Sequence, residues 1–300
     1  RVLKDTFPQN LILSHDLIEG CHIRCGLIND VELFDDSPSN YLDDAKRHHR
    51  WARGDWQIIG WLRRYVRNEK GERVRNQVNT IGRWKIFDNL RRSVFSLSLL
   101  LALFFGFAFG DINPVWFLLL VLVALTTPIV FFIAGQLTHL PRFNRRYRYY
   151  MTLMRGMVVV LYKSLVTFAL LPKEAYMYCD AIIRSCYRMT VSHKNLLNWV
   201  PSDEAARSTK GTLGDYCRQF WFNYVAAIAL AVICYFHLVN DTWTGSTVGN
   251  GWLIGAASFT VLAWVAAPLL MYFLGKRFPQ DAKHLSADEL QEVRQWAKDT

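Results

Sequence analysis

Two short stretches near the start of the chain carry side chains suited to proton transfer and to binding a charged or ring-shaped ligand. In the first, Asp16 follows Ser14-His15 at the start of a predicted helix, with Ser14 as the predicted N-cap. The helix dipole favours a negative charge there, so the Asp16 carboxylate is expected to stay ionised and to accept a proton from an attacking hydroxyl. The position also suits a carboxylate that only caps its helix, and both interpretations stay open. Glu19 shares the predicted helix face and is the second candidate.

The second stretch, Arg47-His48-His49-Arg50-Trp51, lies in a helix predicted from residue 41 to residue 65. A guanidinium such as that of Arg50 can hold a diphosphate through two parallel hydrogen bonds. The indole of Trp51 can stack beneath the apolar C–H face of a pyranose ring. Asp55 adds a carboxylate about one turn later. The alternative is a buried tryptophan beside a surface arginine, which is a common arrangement in helices without any binding role.

The remaining His, Cys and Asp groups do not predict a metal site. His48 and His49 are adjacent, so they cannot face one ion from one helix face, and we expect both on a solvated helix surface. Cys21-His22-x-x-Cys25 lacks a second ligand pair at a spacing typical of zinc. Asp35-Asp36 and Asp43-Asp44 are interpreted as loop and helix-start residues. The six cysteines form no disulfide framework, because several fall in segments predicted to lie in the cytoplasm or membrane.

The composition predicts a membrane protein with basic flanks. Hydrophobic residues make up 52% of the chain, yet it carries 35 Lys and Arg against 25 Asp and Glu, a net charge of +10. Most of the excess cations lie beside apolar runs, which favours an anionic lipid surface over nucleic acid as the partner. Four charge-free runs are each long enough to cross the bilayer, at residues 93–110, 115–137, 221–239 and 252–275.

Lysine and arginine give the predicted orientation of these spans. They occur before the first span, between the second and third, and after the fourth, while the turn 111–114 and the loop 240–251 contain none. By the positive-inside rule both ends of the chain are cytoplasmic and the two cation-free loops are external.

Two amphipathic segments lie between the second and third spans. Residues 143–171 contain Arg155 and Lys163 within an apolar stretch, and we interpret the segment as a helix in the membrane interface, with a spanning helix as the alternative. Residues 173–199 combine an apolar stripe with a charged face. This pattern fits either a helix in the headgroup plane or a soluble helix packed on a neighbouring domain.

The predicted fold is therefore an α-helical membrane protein with four transmembrane helices and interfacial amphipathic helices, preceded by the C-terminal part of an α/β domain. We expect the chain to be a piece of a longer polypeptide. The predicted units are a cytoplasmic domain end, a first transmembrane hairpin, interfacial helices, a second transmembrane hairpin and the start of a helical linker. They cover residues 1–92, 93–137, 138–220, 221–275 and 276–300.

The motifs resemble those of known sugar polymerases. Arg47-x-x-Arg50-Trp51 resembles the Gln-x-x-Arg-Trp motif of cellulose-synthase-like processive glycosyltransferases, with Arg47 in place of the glutamine. His15-Asp16 resembles the Glu-Asp of their base motif. A longer set of strings is closer still to cyclic β-1,2-glucan synthases, and this resemblance extends over nearly all of the chain. The strings are Phe7-Pro8, Leu13–Gly20, His49–Gln57, Arg83–Arg92 and Asn195–Trp199.

The resemblance implies an enzyme of the bacterial inner membrane that uses UDP-glucose and Mg²⁺ to elongate β-1,2-glucan on the cytoplasmic side. It implies glycosidase-type domains in the same polypeptide and no nucleic acid partner. It assigns Asp16 as the base, Arg50 to the nucleotide diphosphate and Trp51 to the acceptor sugar. Arg47, Asp55 and Glu19 are further substrate-binding candidates, and the Mg²⁺ ligands are expected upstream of Arg1. The alternatives are a cellulose-like or mannan-like synthase, or a non-catalytic membrane transport or scaffold module.

Overall fold

The computed structural model describes residues 40–109, 113–137, 146–198, 211–240 and 250–276 without interruption, with scattered residues between 3 and 38 and residues 291 and 295. This part of the chain is mostly helical. Its helices are α1 (Asp16–His22), α2 (Tyr41–Gln57), α3 (Thr80–Ala108), α4 (Pro114–Leu137), α5 (Arg146–Tyr187), α6 (Leu213–Gln219), α7 (Trp221–Val239) and α8 (Asn250–Lys276). A 3-10 helix (Ile58–Leu62) and an antiparallel hairpin of β1 (Tyr65–Arg67) and β2 (Arg73–Arg75) connect α2 to α3.

Five of these helices, α3, α4, α5, α7 and α8, are long and apolar enough to cross a bilayer. Their inward faces form one core, which includes Leu103, Val121, Phe168, Leu230 and Trp264. Their outward faces expose large apolar side chains around the bundle, as expected for helices in contact with lipid tails. Four of the five coincide with the charge-free runs of the sequence, and the fifth is α5.

Close helix packing in the bundle depends on small residues and internal hydrogen bonds. Gly106 of α3 lies directly against the Phe117 ring of α4, so a side chain at position 106 would collide with that ring. Asn223 of α7 is fully buried, and its amide donates to the carbonyl oxygens of Ala169 (3.0 Å) and Trp264 (3.1 Å). A buried amide needs such partners because an unsatisfied polar group in an apolar environment is costly.

Helix α5 is a single helix of 42 residues that joins the two segments the sequence separated. Its middle is part of the bundle core. The buried Ser164 hydroxyl donates to the Leu125 carbonyl oxygen of α4 at 2.8 Å, and the Phe168 ring stacks on Phe259 of α8 with 5.7 Å between centroids. Arg155 and Lys163 are exposed on the outside of the bundle.

The helix predicted over residues 41–65 was wrong beyond residue 57. Helix α2 ends at Gln57, and β1 begins at Tyr65. The turn of the hairpin is fixed locally: Gly71 has a φ of +77°, which favours glycine, and its N–H donates to the Asn68 carbonyl oxygen at 3.0 Å. The N-cap of α1 is His15, one residue after the predicted N-cap Ser14, and it forms no side-chain capping hydrogen bond.

Candidate functional site

Trp51 lies two-thirds of the way along α2 and is 43% exposed. Its indole is held by two side chains from the preceding turn of the same helix. The Arg47 guanidinium carbon lies 4.9 Å from the centre of the indole, and the His48 ring packs edge-on at 5.3 Å between centroids. The indole is thus oriented by its neighbours while a large part of its surface stays open to a ligand.

The two arginines of the motif have different surroundings. Arg47 Nη2 donates to Asp44 Oδ1 at 2.7 Å, so its guanidinium is fixed between a carboxylate and the Trp51 indole. Arg50 is half-buried on the same helix. It lies near Arg53, whose pKa is lowered first by burial and then by surrounding cations, Arg50 among them. A cluster of guanidinium groups on one helix is a setting in which an anionic ligand binds favourably.

Helix α2 is anchored to the first long apolar helix. The indole N–H of Trp56 donates to the Ser93 hydroxyl at 2.8 Å. Asp55 Oδ1 accepts from the Asn89 amide at 2.9 Å. Burial raises the pKa of the Asp55 carboxyl, while the Asn89 hydrogen bond and the Arg92 charge oppose that rise. Asp55 therefore joins α2 to α3, and its predicted contact with substrate stays a prediction.

Helix α1 presents its two carboxylates on the side away from its packed face. Ile18 is fully buried in a cluster with Ile58 and Trp61. The Asp16 side chain is 92% exposed and that of Glu19 is 37% exposed. His15 Nδ1 lies between them, 3.7 Å from Asp16 Oδ1 and 3.2 Å from Glu19 Oε1. Asp16 is thus at the first turn of its helix, as predicted, and open to solvent.

Gln57 links the segment just before α1, which carries Asp16, to the end of α2, which carries Trp51. This buried side chain accepts from the Leu13 backbone N–H at 2.7 Å and donates to the Leu196 carbonyl oxygen at 3.0 Å. It ties the segment before α1 to the C-terminal end of α2, six residues beyond Trp51, or about 9 Å along the helix. Among the contacts of the described residues, none joins the Asp16 and Trp51 side chains directly.

His49 and Arg53 hold the other side of α2, and the sequence predicted no contact for either. The expectation that His49 is solvated was wrong, because its Nε2 lies 2.9 Å from Asp180 Oδ2 of α5. The buried Arg53 donates to the Asn198 carbonyl oxygen at 2.9 Å. Asp180 also binds Arg184 through both carboxylate oxygens, so the acidic partner of His49 is fixed as well. The string at residues 195–199, noted for its resemblance, is the part of the sequence that pointed indirectly to these contacts. The backbone carbonyl oxygens of Leu196 and Asn198 in it accept hydrogen bonds from Gln57 and Arg53.

A further polar contact lies between α3 and α5. Ser96 donates its hydroxyl to Glu174 Oε2 at 3.0 Å, in a region where most neighbouring side chains are apolar. Together with the Trp56–Ser93 and Asp55–Asn89 pairs it forms a polar seam, defined by these six residues, along α3 where α2 and α5 meet it. Such groups are tolerated in an apolar setting because each has a partner.

The described residues contain no group of three or more His, Cys, Asp or Glu side chains that could hold a metal ion. Cys21 is a free thiol, and Cys25 lies outside the described residues. The expected Mg²⁺ ligands upstream of this segment stay a prediction.

The fold and helix α2 define the class of this protein. It is a helical, membrane-associated protein in which α2, packed against apolar helices, carries an exposed indole and clustered guanidinium groups. No family model matches the chain. The chain is similar to the cyclic β-(1,2)-glucan synthase NdvB of Rhizobium meliloti (strain 1021), with 31% identity over 302 residues. The match covers 99% of this chain but only 10% of NdvB, so the chain spans about a tenth of its relative. The resemblance predicted from the motifs is confirmed by this similarity.

Proposed function

We propose that the chain is the membrane-surface segment of an inverting, processive glycosyltransferase that extends β-1,2-glucan from UDP-glucose. The observation that carries the proposal is the Trp51 indole, 43% exposed on a helix anchored through Trp56 to the apolar helix α3. An indole in this position offers an apolar face to a sugar at the membrane surface. The similarity to NdvB, whose name states a β-(1,2)-glucan product, supports the same assignment.

In the proposed reaction Asp16 acts as the general base. Its carboxylate takes the proton of the acceptor 2-hydroxyl as that oxygen forms a bond to the anomeric carbon of the donor glucose. The bond between the anomeric carbon and the diphosphate oxygen breaks, and UDP leaves with the electron pair. The high exposure of Asp16 leaves room for an acceptor.

The cationic side chains of α2 are proposed to bind the diphosphate of the leaving UDP. Arg50 is assigned to the diphosphate, with Arg47 supporting both the anion and the Trp51 indole. Glu19, held 3.2 Å from His15, is a second polar contact for the sugar. Asp55 acts through its hydrogen bond to Asn89, which fixes the angle between α2 and α3.

The cellular setting is part of the proposal. We place the segment in the bacterial inner membrane with both of its ends in the cytoplasm, where UDP-glucose is available. Because each crossing changes sides, this placement requires that one of the five long apolar helices does not cross the bilayer. Mg²⁺ is assigned to ligands elsewhere in the polypeptide, and no step is derived through it. We propose that glycosidase-type domains of the same polypeptide act next on the glucan.

Incorporation of radiolabelled UDP-glucose into glucan by membranes that carry the full-length protein tests the proposal. Asp16→Asn is expected to abolish transfer without changing the amount of protein in the membrane. Glu72→Gln, an exposed carboxylate of the hairpin turn, is the matched control and is expected to keep full activity. Near-normal transfer by Asp16→Asn would remove Asp16 from the mechanism. Linkage analysis of the product separates a β-1,2 polymer from cellulose-like or mannan-like products.

A further inference from the structure

A cavity of about 800 Å³ lies at the base of the hairpin, where the chain leaves β2 and enters α3. Its lining consists of residues 64, 75–80 and 83, and it contains neither Asp16 nor Trp51. This volume lies within the range of about 300–1,000 Å³ typical of sites for small molecules. The cavity is therefore large enough for a ligand of nucleotide size and is separate from the proposed sugar site.

The walls of the cavity are held in place by Asn76, which is buried. Its amide donates to the carbonyl oxygens of Trp61 (2.5 Å) and Arg63 (2.8 Å). Its carbonyl oxygen accepts from the Val78 N–H at 3.0 Å, and its own N–H donates to the Arg64 carbonyl oxygen at 3.0 Å. Because one side chain fixes both edges of the hairpin base, the cavity is formed before any ligand arrives.

Three arginines, Arg64, Arg75 and Arg83, line this cavity, and no Asp or Glu residue does. Within the described part of the chain none of the three forms an ion pair with Asp or Glu. The Nε of Arg83 is buried and has no hydrogen-bond partner there. Buried donors are nearly always satisfied, and like charges that line one space repel each other. An anion in the cavity would remove both costs.

The start of α3 adds backbone donors to these cations. The Asn79 side chain caps the helix by accepting the Gly82 N–H at 2.7 Å. The N–H groups of Thr80 and Ile81 belong to the first turn, where no acceptor exists within the helix. The positive end of a helix of 29 residues is therefore directed at the same cavity as the three guanidinium groups.

We propose that this cavity binds a soluble ligand that carries a phosphate or diphosphate group, at a site separate from the sugar-transfer site. Phosphate oxygens match both the planar guanidinium fork and the helix N-terminus. The distance of Arg83 from the apolar run of α3 favours a soluble ligand over a lipid headgroup. Arg83 lies ten residues before Ser93, the first residue past the charged part of α3, which corresponds to about 15 Å along the helix. The headgroup layer on each side is only about 5–8 Å thick.

Isothermal titration of inorganic pyrophosphate into the full-length protein tests this site. The protein is held in phosphatidylcholine nanodiscs with saturating UDP, which occupies a nucleotide site elsewhere. The triple variant R64Q/R75Q/R83Q is expected to bind pyrophosphate at least tenfold more weakly than the unchanged protein. The matched control R67Q/R73Q removes two hairpin cations that do not line the cavity and is expected to stay within twofold. Arg75→Glu, a single change at an exposed strand end, is expected to weaken binding at least fivefold. It tests the site even if the triple variant misfolds.

The outcomes separate the possible sources of the anion. Pyrophosphate binding by the triple variant within twofold of the unchanged protein overturns the proposal, as does an equal loss in R67Q/R73Q. A pyrophosphate signal that disappears with UDP shows that the site is not separate and also overturns it. Nanodiscs that contain phosphatidylglycerol supply the lipid test: a tenfold loss of pyrophosphate affinity there identifies a headgroup as the occupant, against the proposal. Trp51→Ala is expected to leave pyrophosphate binding unchanged, so this result does not depend on the proposed glucosyl transfer.

Discussion

The proposed sugar platform makes a quantitative prediction for Trp51→Ala. A tryptophan side chain offers up to about 250 Å² of surface, and Trp51 is 43% exposed. If a sugar covers one face, about half of that exposed area is removed from water. At about 25 cal/mol per Å² this contributes about 1.3 kcal/mol, or about tenfold in binding of the acceptor end. The variant is expected to lower the rate of chain extension about tenfold at limiting acceptor.

The assay is glucose incorporation by membranes containing equal amounts of full-length protein, with product length measured alongside the rate. Trp51→Phe keeps a smaller aromatic face and is expected to give an intermediate rate. Trp84→Ala is the matched control, since this indole of α3 is even more exposed, at 63%, but lies outside the proposed site. A Trp51→Ala rate within twofold of the unchanged protein, or an equal loss in Trp84→Ala, would refute the stacking argument.

Three other predictions concern the scaffold. Gln57→Ala removes two hydrogen bonds to backbone groups and is expected to lower the free energy of unfolding by about 1–3 kcal/mol, measured by denaturation in detergent. Gly106→Ala forces a methyl group against Phe117 and is expected to cost about 1–3 kcal/mol, whereas Gly255→Ala, with open space around it, is tolerated. Burial lowers the pKa of His49 below 6.5, so the unfolded chain takes up a proton first and stability falls as pH decreases through 6.5. His49→Gln is expected to flatten that fall.

Each of these predictions has a contrary result. Unchanged hydrogen exchange in the segment around Leu13 after Gln57→Ala would show that this contact does not hold α1. Equal stability of the Gly106 and Gly255 variants would mean that α3 and α4 are not closely packed. A fall in stability that is equally steep with and without His49 would assign it to other groups.

The positions of the apolar helices could be predicted because charge-free apolar runs of about 20 residues are typical of membrane-spanning helices. The predicted span at residues 221–239 coincides with α7. Helix α3 begins at Thr80, thirteen residues before its apolar run, because the charged residues 83–92 are helical too. Such a polar extension has no hydropathy signal. Helix α5 could not be assigned in advance, because its core contacts, such as Ser164 with Leu125, depend on a partner helix.

The roles of the candidate site residues stay predictions, but the sequence placed Asp16 in the first turn of one helix and Trp51 within another, as the structure shows. Both side chains are exposed. The contacts that position them were missed: Gln57 has partners 44 and 139 residues away, and Arg53 has one 145 residues away. Local patterns carry no information about such pairs. The hairpin was missed because an arginine-rich stretch fits a solvated helix as well as a short strand.

The central claim is that one carboxylate and one indole act on the same sugar terminus. A structure of the full-length protein with bound glucan and UDP measures this directly. We expect the terminal glucose to be stacked on Trp51, with its 2-hydroxyl oxygen within about 2.5–3.2 Å of an Asp16 carboxylate oxygen. A terminal glucose bound away from Trp51, or stacked there with another carboxylate at its 2-hydroxyl, would contradict it.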